Sequence, residues 1–405
     1  MLSIAEAQAA IFSQIPLPPA ELLAPEAAHQ RILRQAVLAP EPIPPFDRSA
    51  MDGYAIPSGD AGGSFRIVGV IHAGETPTLE LQEGECVRIF TGAPIPKGAS
   101  RVVLQEHVET DGHWMRIREQ EERPWIRYRG EDAQAGTVLL SAGEVLGAGA
   151  LSLLASIGIR QVAVSPKVRV VHWATGNELV APEATPGPGQ IRDSNSPLIA
   201  GLLRESGATL VHQERVPDSL DAMIEAARRL PENAWDLLLV SGGASVGDFD
   251  FGARALEALG FQIHFRQLRI KPGKPLIFAT RGAQAAFVIP GNPLSHFVTF
   301  HLAIAEAIRR FSGIPEARPL LKTHLGAALS VQPDRRETWW PAKVLMVDGA
   351  LQAFPLPWQS SGDIRGLAGA QGLLRVPPSC TGWEAGTEVE CLLLELSATS
   401  PQVQR

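Results

Sequence analysis

The sequence predicts a multidomain α/β protein whose central part is a doubly wound, mostly parallel sheet. Three observations carry that reading. Short, mainly apolar runs such as Val168 to Ala174 and Leu237 to Val240 suit strands buried on both faces of a sheet. Helical patterns alternate with these runs from Val168 to Phe311. The runs end in loops rich in small residues, which is where sheets of this kind bind ligands.

The stretches on either side read differently. Ser3-Ile4-Ala5-Glu6 is a capping box that opens a helix toward Ile15, and Pro16, Pro18 and Pro19 stop it. Ile32, Leu33 and Val37 stand at helical spacing, so a second helix is expected over Glu26 to Leu38. Pro40 to Pro45 then forces an extended connector. Asp47, Arg48, Ser49, Asp52, Gly53 and Tyr54 read as a loop, because Asp-Gly is a turn signal. Phe65 to Ile71, Cys86 to Phe90, Ala99 to Gln105 and Trp114 to Ile117 predict a small β-rich domain. A helix over Gly149 to Ser156 is expected to pack with the N-terminal segment as a discontinuous linker domain.

Within the α/β part, helices are expected at Pro197 to Glu205, capped by Asn195 or Ser196, at Leu220 to Leu230, at Ala253 to Leu259 and at Leu294 to Phe311. From Pro319 onward, short β runs predict a small C-terminal β domain. The expected boundaries are 1–41 with 131–165 for the split linker domain and 42–130 for the inserted β-rich domain. Those of the α/β and C-terminal domains are 166–315 and 316–405.

Bulk properties narrow the function. Thirty-six basic residues stand against 43 acidic ones, a formal net charge of −7, which argues against a nucleic-acid partner. The three cysteines form no CxxC pair, so neither a disulfide framework nor a zinc cluster is expected, and a reducing cytoplasm is the simple reading. No apolar run reaches membrane-spanning length, and no secretory signal is expected. The motifs GxGxxG and GxxxxGK[ST] are absent. His172, His264, His296 and His301 fall in strand or helix patterns and read as packing residues.

The chemistry collects in four loops that follow strands of one sheet: TGNE at 175–178, SGGASVGDFD at 241–250, KPGKP at 271–275 and PGNP at 290–293. Glycines let backbone N–H groups approach an anion. Lys271 and Lys274 sit on a loop stiffened by proline, and a helix with Ser295 in its first turn follows Pro293. Glu178, Asp218, Asp248 and Asp250 are expected close by. Each acid alone reads as a cap or a surface charge; the set of four loops on one rim points to a site. A carboxylate about 4 Å from a phosphate oxygen repels it by about 4 kcal/mol at an effective dielectric near 20. A hard divalent cation such as Mg²⁺ bridging the two removes that conflict, as does a carboxylate binding a polar ring or a ribose hydroxyl instead.

At these residues the chain resembles the molybdopterin molybdenumtransferase family, which includes the C-terminal catalytic domain of gephyrin. The likeness rests on PPFDRSAMDGYA at 44–55, RIFTGAP at 88–94, VVLQEHV at 102–108, RGEDAQAG at 129–136 and ATGNEL at 174–179. It continues through SGGASVGD at 241–248, IKPGKP at 270–275 and PGNPLS at 290–295. The resemblance implies a split linker domain, an inserted β-rich domain, an α/β domain and a C-terminal β-barrel. It implies insertion of molybdate into adenylylated molybdopterin with release of AMP, supported by Mg²⁺. It further implies a homodimer with the site shared between subunits, and the molybdopterin adenylyltransferase as a partner.

Carried over, Lys271, Lys274 and Ser295 would hold molybdate or phosphate. Asp218, Asp250 and Glu178 would serve the metal, the nucleotide or the hydrolytic step, with Asp250 and Asp218 as metal ligands. Ser241, Gly242, Gly243, Ser245, Gly247, Asp248, Pro290, Gly291, Asn292, Pro293 and Ser361 would line the substrate. Asp52, Thr91 and Asp132 would come from the partner subunit. Pro341, within TWWPAKV, stands where family members often carry an arginine; Lys343, two residues on, can substitute only if the strand presents it to the same face, as two residues along a strand do share one. The competing readings are an adenylyltransferase-like enzyme and a non-catalytic pterin-binding scaffold.

Overall fold

Alternating apolar strands and amphipathic helices build the sheet the sequence predicts. The computed structural model describes residues 1–58, 63–119, 122–231, 233–243 and 251–394. Two compact units result: residues 1–34 with 161–405, and residues 35–160.

The first unit opens with α1 (Ile4–Gln14), whose Ser3 and Glu6 form the expected capping box. The sheet consists of β1 (Arg169–Thr175), β2 (Thr209–Val216), β3 (Leu237–Ser241), β4 (Gln262–Gln267), β5 (Pro275–Arg281) and β6 (Gln284–Ile289). Its order is β2-β1-β3-β6-β5-β4. β1, β2, β3 and β6 pair in parallel, and β5 runs antiparallel to both neighbours. All five residues of β3 are buried, as an unalternating apolar run requires.

Helices α2 (Asn195–Glu205), α3 (Leu220–Arg229) and α4 (Phe251–Ala258) connect the strands. The cap of α2 is neither Asn195 nor Ser196. The Asp193 carboxylate accepts both of their N–H groups, at 3.1 and 2.9 Å, because it sits where the first free donors converge. The expected long helix is not uniform: α5 (Pro293–Thr299) passes through a π-helical turn, Phe300–Ile304, into α6 (Ala305–Phe311). Ala7 and Ile11 of α1 and Ile15 join Ile304 and Ile308 in one apolar cluster. Gln8 Nε2 donates to Leu302 O at 2.9 Å, and Arg310 Nε to Ile15 O at 3.0 Å.

The C-terminal strands close into a barrel. They are β7 (Leu321–Leu325), β8 (Glu337–Val347), β9 (Ala350–Pro355), β10 (Gly372–Val376) and β11 (Glu388–Leu393). β8 pairs with both β9 and β10, which completes the ring through β7 and β11. Ile270–Lys271 adds in parallel to Glu337–Thr338 at the start of β8.

The helix expected over Glu26 to Leu38 does not form. In its place are a 3₁₀ turn, Pro25–Ala28, in the first unit and a short strand, Val37–Leu38, in the second. The latter pairs with Val138–Leu140. Pairing with a distant strand overrides a local helical spacing.

The second unit carries a six-stranded sheet in which Gly53–Ile56 lies between Glu85–Ile89 and Arg101–Leu104. Gly53 and Tyr54, read from sequence as loop, are therefore buried strand residues. The Gly53 position explains the misreading: a Cβ there would lie 2.0 Å from Val103 O, so glycine serves close strand approach rather than a turn. No helix among the described residues is long and apolar enough to cross a membrane.

Candidate active site

Three of the four predicted loops leave the carboxyl ends of β1, β3 and β6, and KPGKP turns between β4 and β5 at the same rim. Together they line a cleft of about 670 Å³ in the first unit, within the usual range for small-molecule sites. Two glycines make this convergence possible. Gly242 has φ +96°, and a Cβ on it would lie 2.5 Å from Thr175 O of the neighbouring loop. Gly273 has φ +99°, and its Cβ would lie 2.6 Å from Thr299 Cγ2 of α5. Side chains rarely adopt that backbone region, and neither position has room for one.

The cationic side comes from Lys271 and Lys274, which both line the cleft. Lys271 Nζ lies 3.5 Å from Asp334 Oδ2. Asp334 also accepts from Arg336 through Nε at 3.0 Å and Nη2 at 2.8 Å. Those hydrogen bonds, with the Lys271 charge behind them, hold the Asp334 carboxyl well below the usual carboxylate range. Pro290, Gly291, Asn292, Pro293 and Ser295 line the cleft, as does Ser361. Asn292 Nδ2 donates to Ser361 Oγ at 2.9 Å, and Leu294 N to Ser361 O at 3.2 Å. The start of α5 therefore spends one of its free donors on this loop.

The expected substitution at 341 is not what the structure builds. Pro341 is buried and pairs with Leu373, Lys343 pairs with Phe354, and neither lines the cleft. Arg336, at the entrance to β8, does. Sequence reading missed it because only the pairing of Ile270–Lys271 with β8 brings it alongside Lys271.

The acidic side comes from Glu178 and Asp218. Asp218 Oδ1 is buried and has no hydrogen-bond partner among the described residues. Burial, and then the charge of Glu178, push the Asp218 carboxyl above its ordinary range. A buried, unpartnered oxygen beside a second carboxylate is a fitting donor set for a hard cation that keeps most of its waters. No cluster of three metal-ligating side chains is found among the described residues. Ser245, Gly247, Asp248 and Asp250 lie outside the described residues.

Gly242 and Gly243 face the cleft, but Ser241 does not. It is the last residue of β3, and its hydroxyl turns into the sheet, 2.5 Å from His172 Nε2. Gln213 Nε2 meets His172 Nδ1 at 2.8 Å. His296 Nδ1 lies 3.2 Å from Pro290 O, and Asn195 Nδ2 donates to Gly291 O at 2.7 Å, which together fix the PGNP loop from below and beside. Burial pushes His172 down to about 3 and His296 to about 4, so both rings are neutral supports.

In the second unit, Asp52 Oδ1 accepts from Thr91 N at 2.8 Å and Thr91 Oγ1 at 2.7 Å, which lowers the carboxyl's titration. Asp132 pairs with Arg127 at 2.5 Å.

These features first define a class: a multidomain α/β protein with a strand-end cleft, lined by both cationic and acidic side chains, for a charged small molecule. Comparison with known proteins narrows it. Residues 2–158 match the MoeA N-terminal region (domain I and II), 172–310 a probable molybdopterin binding domain, and 325–394 the MoeA C-terminal region (domain IV). A molybdopterin molybdenumtransferase of Nostoc sp. is 34% identical over 91% of this chain and 88% of its own. One from Staphylococcus aureus is 29% identical over 99% and 98%. The crystal structure of a molybdopterin biosynthesis moeA protein from Pyrococcus horikoshii superposes with a TM-score of 0.81 at 28% identity, covering 97% of this chain and 99% of that one. The chain belongs to the molybdopterin molybdenumtransferase family and is a transferase of molybdenum cofactor biosynthesis. The match includes the N- and C-terminal regions, so neither the adenylyltransferase-like nor the scaffold reading is favoured.

Proposed function

We propose that the chain inserts molybdate into adenylylated molybdopterin, releasing AMP and giving molybdenum cofactor. The supporting observation is a single cleft lined both by Lys271 and Lys274 and by Glu178 and Asp218. Molybdate is a dianion and the phosphoanhydride is anionic, so fixed lysines gather them as point charges. Lys271, Lys274 and Ser295 hold the oxyanions, and Gly242, Gly243 and Gly291 let the substrate approach the backbone. Asp218 and Glu178, together with Asp250, would hold Mg²⁺, which when bound neutralises charge on the departing AMP. The metal-binding carboxylates and the lysines would keep substrate and molybdate together in one orientation. No protein nucleophile is required.

The rest of the reading follows the family. The protein works in the cytoplasm as a homodimer, in which Asp52, Thr91 and Asp132 of one subunit complete the cleft of the other. A molybdopterin adenylyltransferase supplies the substrate. Four domains with the boundaries given above carry these roles. The test is AMP release from adenylylated molybdopterin with Mg²⁺, with and without molybdate. Release that depends on molybdate and yields active cofactor supports the reading; tight binding of the pterin nucleotide with no molybdate-stimulated release refutes it.

A further inference from the structure

The α/β sheet has a second cavity at its other end. The active cleft opens at the carboxyl ends of β1, β3 and β6, whereas this one, of about 540 Å³, is lined from the amino-terminal side of the parallel strands. Trp235 precedes β3, Phe261 precedes β4, Gln284 opens β6 and Arg281 closes the antiparallel β5. The volume suits a small organic molecule.

The lining joins aromatic rings to a fixed cation. Trp235 and Phe261 stack with ring centroids 6.3 Å apart and an 18° interplanar angle. The Arg281 guanidinium lies over both, 4.9 Å from the Phe261 centroid and 5.9 Å from that of Trp235. Arg281 Nη1 donates to Leu259 O at 2.8 Å, and Nε and Nη2 donate to Gln284 Oε1 at 3.2 and 2.7 Å. These acceptors are neutral, so they hold the guanidinium without cancelling its charge. Among the described residues, about two of its five N–H groups stay unspent. Arg228 lines the same cavity, and no carboxylate does among the described residues; Glu232 lies outside them. Trp173, another lining residue, is buried, and its Nε1 has no hydrogen-bond partner among the described residues. Rings beside a held, uncancelled guanidinium favour a ligand that is itself a ring with negative charge. The ring stacks and the anion meets the spare N–H groups, whereas a neutral ring loses the second contact and an inorganic anion the first.

We propose that this cavity is a second ligand site, which takes a planar aromatic anion. The inference goes beyond the transferase reading and does not depend on it.

The probe is anilinonaphthalene sulfonate, with phenylnaphthylamine, the same rings without the sulfonate, as its uncharged counterpart. Both are titrated by fluorescence into the full chain and into Arg281→Gln, Arg228→Gln and Ala227→Phe. The sulfonate should bind saturably at about one per chain. Arg281→Gln should weaken it by about tenfold and the uncharged probe by less than about twofold, because only the anion loses a charge-assisted hydrogen bond. Arg228 is exposed and paired with Glu225, so Arg228→Gln should cost about twofold to threefold for the sulfonate alone. Ala227→Phe puts a ring into the cavity and should weaken both probes by at least about tenfold. Fluorine NMR of fluorotryptophan-labelled protein locates the site: the sulfonate should move the Trp173 and Trp235 resonances, identified by Trp173→Phe and Trp235→Phe. Thermal melts confirm that each variant is folded; if Ala227→Phe is not, the arginine variants and the NMR shifts decide. Equal losses of both probes in Arg281→Gln would make the cavity merely apolar and overturn the proposal. So would the absence of saturable binding, or shifts confined to other tryptophans such as Trp358 of the active cleft.

Discussion

Asp218 carries a cost that its removal should reveal. Its Oδ1 is buried without a hydrogen bond among the described residues, and the charge of Glu178 acts on it. An unsatisfied buried acceptor costs about 1–3 kcal/mol. Asp218 as a whole is half-buried, so solvent screening puts the figure at the low end, about 1 kcal/mol. Asp218→Asn keeps the shape, removes the charge and provides an NH₂ that can donate toward Glu178. The metal-free variant should therefore be more stable than the parent by about 1 kcal/mol, a rise in Tm of roughly 2–4 °C for a unit of this size. With Mg²⁺ that advantage is cancelled. At about ten times Kd the ion stabilises the parent by about 1.4 kcal/mol, whereas the variant, having lost a charged ligand, binds at least about tenfold more weakly. Differential scanning calorimetry in EDTA and then in Mg²⁺ reads both effects. A variant that melts below the parent in EDTA, or an equal Mg²⁺ shift in both proteins, would refute the assignment of Asp218 as a metal-facing carboxylate.

Three further outcomes are expected. Gly273→Ala forces a side chain at φ +99° and against Thr299, and should lower stability by about 1–3 kcal/mol while raising the KM for molybdate, read by urea unfolding and steady-state kinetics. Lys271→Ala should cut molybdate-dependent AMP release by about hundredfold; a loss under twofold would remove Lys271 from the site. The buried histidines should make the fold acid-sensitive. Burial holds His172 and His301 down to about 3 and His296 to about 4, so they stay neutral when folded and protonate near 6.5 when unfolded. The unfolded state then binds more protons, and stability, complete above about pH 6.5, falls as pH drops toward 4. Each ring contributes about 1.4 kcal/mol per pH unit and the three together about 4. Denaturation midpoints at pH 7, 6 and 5 check this, and a flat series would contradict it.

The sheet and its rim were legible because both write themselves locally. A run such as Leu237 to Val240 has no polar alternation, and the loops after it have no bulk, so burial and function are visible in a few consecutive letters. Ser3 and Glu6 announced their helix for the same reason. What failed depended on distant partners. Val37–Leu38 is a strand only because Val138–Leu140 pairs with it. Gly53 looks like a turn until Val103 O is placed against it. Arg336 looks like a surface charge until Ile270–Lys271 joins the barrel strand beside it. The candidate site was thus readable where loops end strands and unreadable where one part of the chain reaches across to another.

The docking of α1 against the end of the α/β part sets a schedule for synthesis. Gln8 finds Leu302 only after 294 further residues have been made. At about 5–20 residues per second, the ribosome leaves this helix without its partner for roughly 15–60 s. Residues 35–160, a compact unit in themselves, emerge in that interval and can fold while α1 waits. The apolar stripe of Ala7 and Ile11, buried in the finished fold, stays uncovered on the nascent chain for that interval.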